Sequence, residues 1–157
     1  MDMIFRAESS QPTNKGRLVY SKSDDALIFH SSDGKYGYSS LLINDLELAV
    51  DDDNSVMFAD GYFPKSNWKF ANLTIPESFE GKLYIDCKNY SALENQHVSK
   101  RLTEPSGWIV TKDNNSDWIC LGNPNSKDRL VIEFCTMHKA VLDHDGNLIA
   151  IWLKPEI

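Results

Sequence analysis

The sequence predicts a mainly β protein, built as an antiparallel β-sandwich or barrel with one or two short helices. Three observations support this fold class. Short apolar runs recur along the chain, and clusters of Gly, Asn, Asp and Ser separate them, as is typical of strands joined by turns. Several runs alternate apolar and polar residues, which is the period of a strand with one solvent-exposed face. The 3.6-residue period of an amphipathic helix is nearly absent.

The first half of the chain divides into two predicted hairpins. GRLVYS and ALIFHSS flank the turn sequence KSDD, and LLINDLELAV and SVMFADGYF flank DDDN. In LLINDLELAV, the apolar residues Leu46, Leu48 and Val50 fall on one face. We therefore expect this segment to be a strand with one buried face. The sequence SDGKYG, between the two hairpins, predicts a further turn.

Strands are also predicted at WKFANLTI, GKLYIDC, GWIVTK and DWICLG, and within the C-terminal segment RLVIEFCTMHKAVLDHDGNLIAIWL. In that segment DHDGN predicts a hairpin turn, because Gly146 can adopt a positive φ without steric cost. The strand NLIAIWL is apolar on both faces, so we expect it to be central and covered on both sides. All segments together give about nine or ten strands in a single domain, residues 1–157.

One segment, NYSALENQHVSKRL, has helical character. Ser91 and Glu94 have the spacing of a capping box at a helix N-terminus. Apolar residues follow at roughly helical spacing, and Pro105 would end the helix.

The composition favours a globular chain that binds a basic partner. Hydrophobic residues make up 41% of the 157 residues and charged residues 25%, which is typical of a folded domain. The net charge is −7, and a field of that sign repels nucleic acid and anionic membranes. The longest basic run is Lys100-Arg101. We therefore expect no nucleic acid and no membrane among the partners.

The N-terminal sequence and the cysteines predict a cytoplasmic protein. The start of the chain lacks the basic segment and apolar stretch of a signal peptide. Cys87, Cys120 and Cys135 are odd in number and have no CxxC or Cys/His ligand spacing. Free thiols in a reducing compartment are the expected state.

No catalytic, phosphate-binding or metal-binding motif occurs in the sequence. G-x-S-x-G, the P-loop and the dinucleotide-binding glycine pattern are all missing, and the four histidines have no metal-binding spacing. The run Asp51, Asp52 and Asp53 lacks the glycine of an EF-hand loop. The run can be a polar turn, a charged contact surface or a looser calcium site, and Asp and Asn are ordinary turn residues.

Aromatic side chains beside glycine-bearing turns are the ones that we expect at an exposed surface. They are Tyr36, Tyr38, Tyr62 and Phe63. The four tryptophans lie in predicted strands, where aromatic residues usually belong to the core. Tyrosine next to aspartate is the composition of a protein-binding surface, because aromatic anchors supply buried area and acids complement a basic partner.

A single acidic β-rich domain of this size, without a catalytic motif and with free thiols, resembles the immunity proteins of bacterial toxin systems. Contact-dependent growth inhibition systems are an example. The resemblance covers the overall character of the whole chain. It implies a protein that binds one toxin domain tightly and blocks it. Many such toxins are basic nucleases, which would suit a partner with a net charge of −7.

The sequence thus predicts an immunity protein that is not an enzyme, needs no cofactor or metal, and neutralises a cognate, basic toxin. The expected partner-binding residues combine acids for steering with an aromatic anchor, and they are Asp51, Asp52, Asp53, Asp60 and Tyr62. The alternative is a carbohydrate-binding β-sandwich, in which exposed aromatics form the platform and an aspartate loop holds calcium.

We predict that all three cysteines are reduced, because their number is odd and the expected compartment is reducing. Thiol titration of the denatured protein should give three thiols per chain with or without a reductant. Two fewer thiols in the unreduced sample would show that a disulfide forms.

Overall fold

The computed structural model describes residues 3–10, 14–88, 90–104, 107–125 and 129–157. Fourteen β-strands and one turn of 3₁₀ helix, Lys65–Asn67, are found in these ranges. The strands are β1 (Phe5–Ser9), β2 (Gly16–Ser21), β3 (Ala26–Ser31), β4 (Ser39–Ile43), β5 (Leu46–Val50), β6 (Val56–Tyr62), β7 (Trp68–Ala71), β8 (Phe79–Ile85), β9 (Ser99–Arg101), β10 (Val110–Asp113), β11 (Ile119–Gly122), β12 (Leu130–Cys135), β13 (His138–Leu142) and β14 (Leu148–Leu153).

The strands form two sheets that pack together around a shared core, which confirms the predicted mainly β fold in its sandwich form. One sheet has the order β1-β8-β12-β13-β14-β11-β10-β7, and the other has the order β2-β3-β6-β5-β4-β9. Most strand pairs are antiparallel, as predicted. Both sheets are nevertheless mixed, because β7 with β10, β8 with β12 and β4 with β9 pair in parallel. Parallel neighbours need long connections, and such connections cannot be read from short turn signals.

The C-terminal hairpin lies at the centre of the eight-stranded sheet, as predicted. Strand β14 contributes Ile151 and Leu153 to the shared core and Ala150 and Trp152 to a second apolar cluster on the other face. Leu73 and Ile75 of the connection 72–78 pack against this second cluster, as do Trp118 and Ile149. The two-sided apolar pattern of β14 therefore has a direct physical cause.

Two segments that the sequence pattern presents as continuous strands are hairpins. LLINDLELAV divides into β4 and β5, and Ile43 pairs with Leu46 across a two-residue turn. The turn is possible because Asn44 adopts a φ of 55°, which asparagine tolerates better than most residues. The chain reverses in the same way between β12 and β13, where Met137 has a φ of 62°. The two residues of that turn, Thr136 and Met137, have no preference for turns that would predict it from the sequence.

The predicted helix is wrong. The backbone N–H of Glu94 donates to the Ser91 hydroxyl at 3.4 Å, as in a capping box, but the chain continues as turns. It then enters β9, which pairs with β4. A single i→i−4 bond, from the N–H of Asn95 to the carbonyl of Ser91, does not continue, because the N–H of His97 donates to the carbonyl of Tyr38 in another part of the fold. Within the described ranges, no helix is long and apolar enough to cross a membrane.

The three cysteines are free, in agreement with the expectation. Cys120 and Cys135 are buried, and Cys87 is half-buried next to the backbone of Ile4. Burial raises the pKa of the Cys120 thiol to about 12 and also raises the pKa of Cys135. Both thiols are therefore protonated and unreactive at neutral pH.

Deletion of the chain from Asn147 onwards should abolish folding. The deletion removes β14, so it uncovers both apolar clusters and leaves the facing edges of β13 and β11 unpaired. Circular dichroism and urea unfolding would check this expectation. A soluble truncated chain with a cooperative unfolding transition would contradict the central placement of β14.

Candidate functional site

Strands β3 and β6 separate partway along their length. The last position at which they pair joins Leu27 to Gly61. In the same register, Phe29 and Ala59 would be the next residues to exchange two backbone hydrogen bonds. The ladder does not reach them, so their N–H groups need other acceptors.

Side chains supply those acceptors. The Asp60 carboxylate accepts the N–H of Phe29 at 3.1 Å, and the His138 ring accepts the N–H of Ala59 through Nε2 at 3.0 Å. Nδ1 of His138 lies 2.7 Å from the carbonyl oxygen of Thr136, so the neutral ring donates there and accepts at Nε2. His138 belongs to β13 in the facing sheet. Its bond to Ala59 therefore crosses the core and joins the two sheets.

A cleft of about 680 Å³ opens where the two strands part. It lies on the face of the six-stranded sheet that points away from the core, because Glu47 and Ala49 line it and alternate with buried residues of β5. Phe29 and Phe58 also line the cleft, and their rings stack with centroids 4.6 Å apart and planes at 16°. Because both rings are almost completely buried, they form an apolar floor.

The rim of the cleft comes from residues 34–38 and 97–99. The carbonyl of Val50 accepts the N–H of Tyr38, and the carbonyl of Tyr38 accepts the N–H of His97, so backbone bonds join both rim segments to the sheet. Tyr36 stands at the rim with 85% of its surface exposed. An exposed aromatic ring beside a cleft is a feature of binding surfaces.

Two acidic side chains face each other inside the cleft. Asp60 on β6 is paired directly with Glu47 on β5, and Asp60 is half-buried. Burial raises the pKa of Asp60, while the Phe29 N–H and nearby His30 act in the opposite direction. Neither acid forms a salt bridge with another described residue. The cleft therefore contains two acids without a salt-bridge partner among the described residues, although Lys35 and His30 also line it.

The predicted cluster of three aspartates is the turn between β5 and β6. The N–H of Asp52 donates to the Asp51 carboxylate, and Asp53 accepts both the N–H and the hydroxyl of Ser55. Asp53 also forms a salt bridge of 3.3 Å with Lys82. One carboxylate oxygen from each aspartate lies within 4.8 Å of the others. The bonds within the turn account for two of the three carboxylates, as expected for turn chemistry.

The structure brings the predicted partner-binding residues together only in part. Asp60 lies inside the cleft and Tyr62 is exposed near the end of the same strand, with 52% of its surface accessible. The aspartate turn precedes the opposite end of β6, and that end is about 13 Å from Asp60 and about 20 Å from Tyr62 along the strand. All five residues thus belong to one hairpin, but the turn does not line the cleft.

Sequence reasoning missed the cleft itself. Glu47 lies on the polar side of the alternation in LELAV, and no sequence pattern links it to Asp60, Phe58 or His138. Phe63, expected to be exposed, is buried against Trp68 with ring centroids 5.6 Å apart. The sequence contains one indication of the cleft, which is Asp60, an acid within the otherwise largely apolar strand β6.

No protein-family model matches the chain. No curated protein has a significantly similar sequence. The function therefore has to be inferred from the chemistry of the cleft and of the surface around it.

The buried His138 should make the protein sensitive to mild acid. Burial lowers the pKa of His138 from 6.5 to about 4. In the unfolded chain the histidine takes up a proton below pH 6.5, whereas in the folded protein it stays neutral down to about pH 4. The contribution of His138 to the free energy of unfolding is therefore complete above pH 6.5 and is lost as the pH falls towards 4. The difference between the two pKa values corresponds to about 3 kcal/mol.

Urea unfolding between pH 7 and pH 4 would measure this loss, with His138→Gln as the comparison. The variant should be less stable at pH 7, and its stability should converge with that of the natural protein at pH 4. Carboxylates such as Asp60 titrate in both proteins and cancel in the comparison. Parallel pH profiles of the two proteins would refute the assignment to His138.

Proposed function

We propose that this protein is an immunity-type protein that binds a basic toxin domain and neutralises it by covering the toxin's active site. The observation that carries the proposal is the cleft of the six-stranded sheet, which combines two acids that no described residue pairs in a salt bridge with an exposed aromatic rim. A cleft of this kind fits a positively charged protein surface, because complementary charge steers association and aromatic residues supply buried contact area.

The overall charge supports the same partner. A net charge of −7 attracts a basic protein over a distance and can raise association rates by about 10- to 1,000-fold at low salt. Asp52, which is exposed in the turn and has no salt-bridge partner among the described residues, adds to this field at the end of the hairpin away from the cleft. A standard interface covers roughly 800 Å² on each partner and is about 30 Å wide. The turn and Asp60 both fit within one such contact area.

Tyr36 and Tyr62 are the proposed aromatic anchors. Both are more than half exposed in the free protein, so both have surface to bury on binding. Tyrosine is enriched among interface residues that contribute most of the binding energy, because its ring buries a large area at a small entropic cost. Tyr62 was expected from the sequence, and Tyr36 gains its role from its position at the rim of the cleft.

The histidines of the cleft support a binding role over a catalytic one. His30 and His97 line the cleft, but among the described residues the only histidine ring with hydrogen bonds is that of His138. A nucleophile activated by a neighbouring base would need such a bond. In this proposal the acids of the cleft act through their charge, and His30 and His97 contribute to its shape.

A carbohydrate-binding module is the second candidate. The highly exposed ring of Tyr36, beside the hydroxyls of Ser31 and Ser40, has the composition of a sugar platform. The calcium version of this function is less favoured, because Asp53 already binds Ser55 and Lys82. A glycan array would distinguish the candidates: specific glycan binding without a protein partner would favour this one.

The proposed function predicts that the protein binds the product of the adjacent gene and protects cells that express it. Co-purification and a growth-protection assay would measure the two effects. Association should slow markedly as salt rises, while dissociation changes little, because screening acts on the steering field. A failure both to bind and to protect would refute the proposal.

A matched pair of variants would test the aspartate turn. Replacing Asp51, Asp52 and Asp53 by asparagine should slow association about tenfold and leave the fold intact. The control neutralises three exposed acids on connections of the eight-stranded sheet, namely Glu77, Asp117 and Asp145. If the control slows association equally, net charge is responsible. If neither triple variant slows association, the aspartates form a turn and nothing more.

A further inference from the structure

The two acids of the cleft are held in an electrostatically unfavourable position. Glu47 and Asp60 are directly opposite each other on neighbouring antiparallel strands, which places their Cβ atoms about 5 Å apart. Like charges in this arrangement destabilise a sheet. Two nearby acids, by contrast, have cationic partners, since Asp45 before β5 pairs with Arg101 at 3.4 Å and Asp53 in the turn after β5 pairs with Lys82 at 3.3 Å.

The orientation of Asp60 is fixed by the backbone. Its Oδ2 accepts the N–H of Phe29, while no described residue donates a hydrogen bond to Oδ1. A carboxylate held by one oxygen in a half-buried position keeps the other oxygen for a further donor. Glu47 is exposed and supplies a second carboxylate from the same side of the sheet.

The floor beside these acids is aromatic. Phe58 precedes Asp60 by two residues on β6, on the same face, and it stacks on Phe29. Tyr36 adds an exposed ring at the rim. A planar cation is attracted to the face of an aromatic ring and can hydrogen-bond carboxylates with its edge at the same time.

These features select the class of ligand. A metal ion would use only the two carboxylates and would leave the aromatic floor and most of the cleft, which is much larger than an ion, without a role. A sugar would leave the two negative charges unneutralised. A guanidinium group satisfies both requirements, because it is planar, always charged and carries five N–H donors in a fixed fork.

We infer that the cleft is the receptor for an arginine side chain of the protein partner, with the guanidinium group held by Glu47 and Asp60 above Phe58. This inference rests on the proposed function and adds the chemistry that the partner presents. Lys35 at the rim does not occupy the position, since neither acid forms a salt bridge with it. Arginine, being weakly hydrated, gives up less hydration than lysine would on entering a half-buried cleft.

The test uses the free protein and short blocked peptides. Acetyl-Gly-Arg-Gly-amide is titrated into the isotopically labelled protein and followed by NMR chemical shifts. The matched control peptide carries citrulline, which has nearly the same shape as arginine without its charge, and a third peptide carries lysine. Shifts should concentrate on residues of β5 and β6 around Glu47 and Asp60. Affinity should fall about tenfold or more with citrulline, and lysine should bind more weakly than arginine.

The variant Glu47→Gln with Asp60→Asn removes both charges and should lose the same factor in arginine affinity. The amide oxygen that this variant carries at position 60 can still accept the N–H of Phe29, so the fold is retained. The control variant Glu77→Gln with Asp117→Asn has the same change in net charge away from the cleft and should bind as tightly as the natural protein. Measurements on the natural protein alone can overturn the inference: it is wrong if the arginine peptide binds no more tightly than the citrulline peptide or than the lysine peptide.

The same variants separate this inference from the proposed function. If the cleft variant binds and neutralises the toxin as well as the natural protein does, the arginine receptor is wrong and the immunity role stands. If the natural protein binds the arginine peptide selectively but neither binds nor protects against the adjacent gene product, the immunity role is wrong and the receptor stands.

Discussion

The structure depends on how two backbone N–H groups are satisfied where β3 and β6 separate. An unpaired N–H in the interior costs about 1–3 kcal/mol, so neighbouring strands can part only where other acceptors replace the ladder. Asp60 provides one acceptor from the adjacent strand, and His138 provides the other from the facing sheet. Since His138 reaches across the core, the bond that satisfies the Ala59 N–H also joins the two sheets.

The separation of the strands and the cleft have one origin. Strands in full register would place Phe29 against Ala59 and leave no opening in the outer face of the sheet. With the ladder interrupted, the stacked Phe29 and Phe58 rings become a floor, and Asp60 serves both as a backbone acceptor and as a charge in the cleft. The placement of Asp60 directly opposite Glu47 lowers the stability of the sheet, because like charges repel. Natural proteins retain conflicts of this kind mainly at functional sites.

Acidic residues thus play different parts according to their partners rather than their number. Asp53 is bound to Ser55 and Lys82 and shapes a turn, although it belongs to the most acidic stretch of the sequence. Asp60 is the one acid of the largely apolar strand β6, it has no salt-bridge partner among the described residues, and it lies in the cleft. A run of acids in a sequence is easily noticed, whereas an acid without a partner is recognised only once its neighbours are known.

Local patterns were enough to predict the mainly β class, most of the strands and the central, doubly covered β14, because alternation and turn chemistry act between near neighbours along the chain. They failed where distant contacts decided the outcome. The capping pattern at Ser91 did not produce a helix, since the chain after it pairs with β4, and Met137 turns the chain without any turn preference. The cleft belongs to this second group. Only the tertiary structure places His138 against Ala59 and Glu47 opposite Asp60. Both contacts join residues from separate strands, so their energies depend on how the sheets assemble and not on the local sequence.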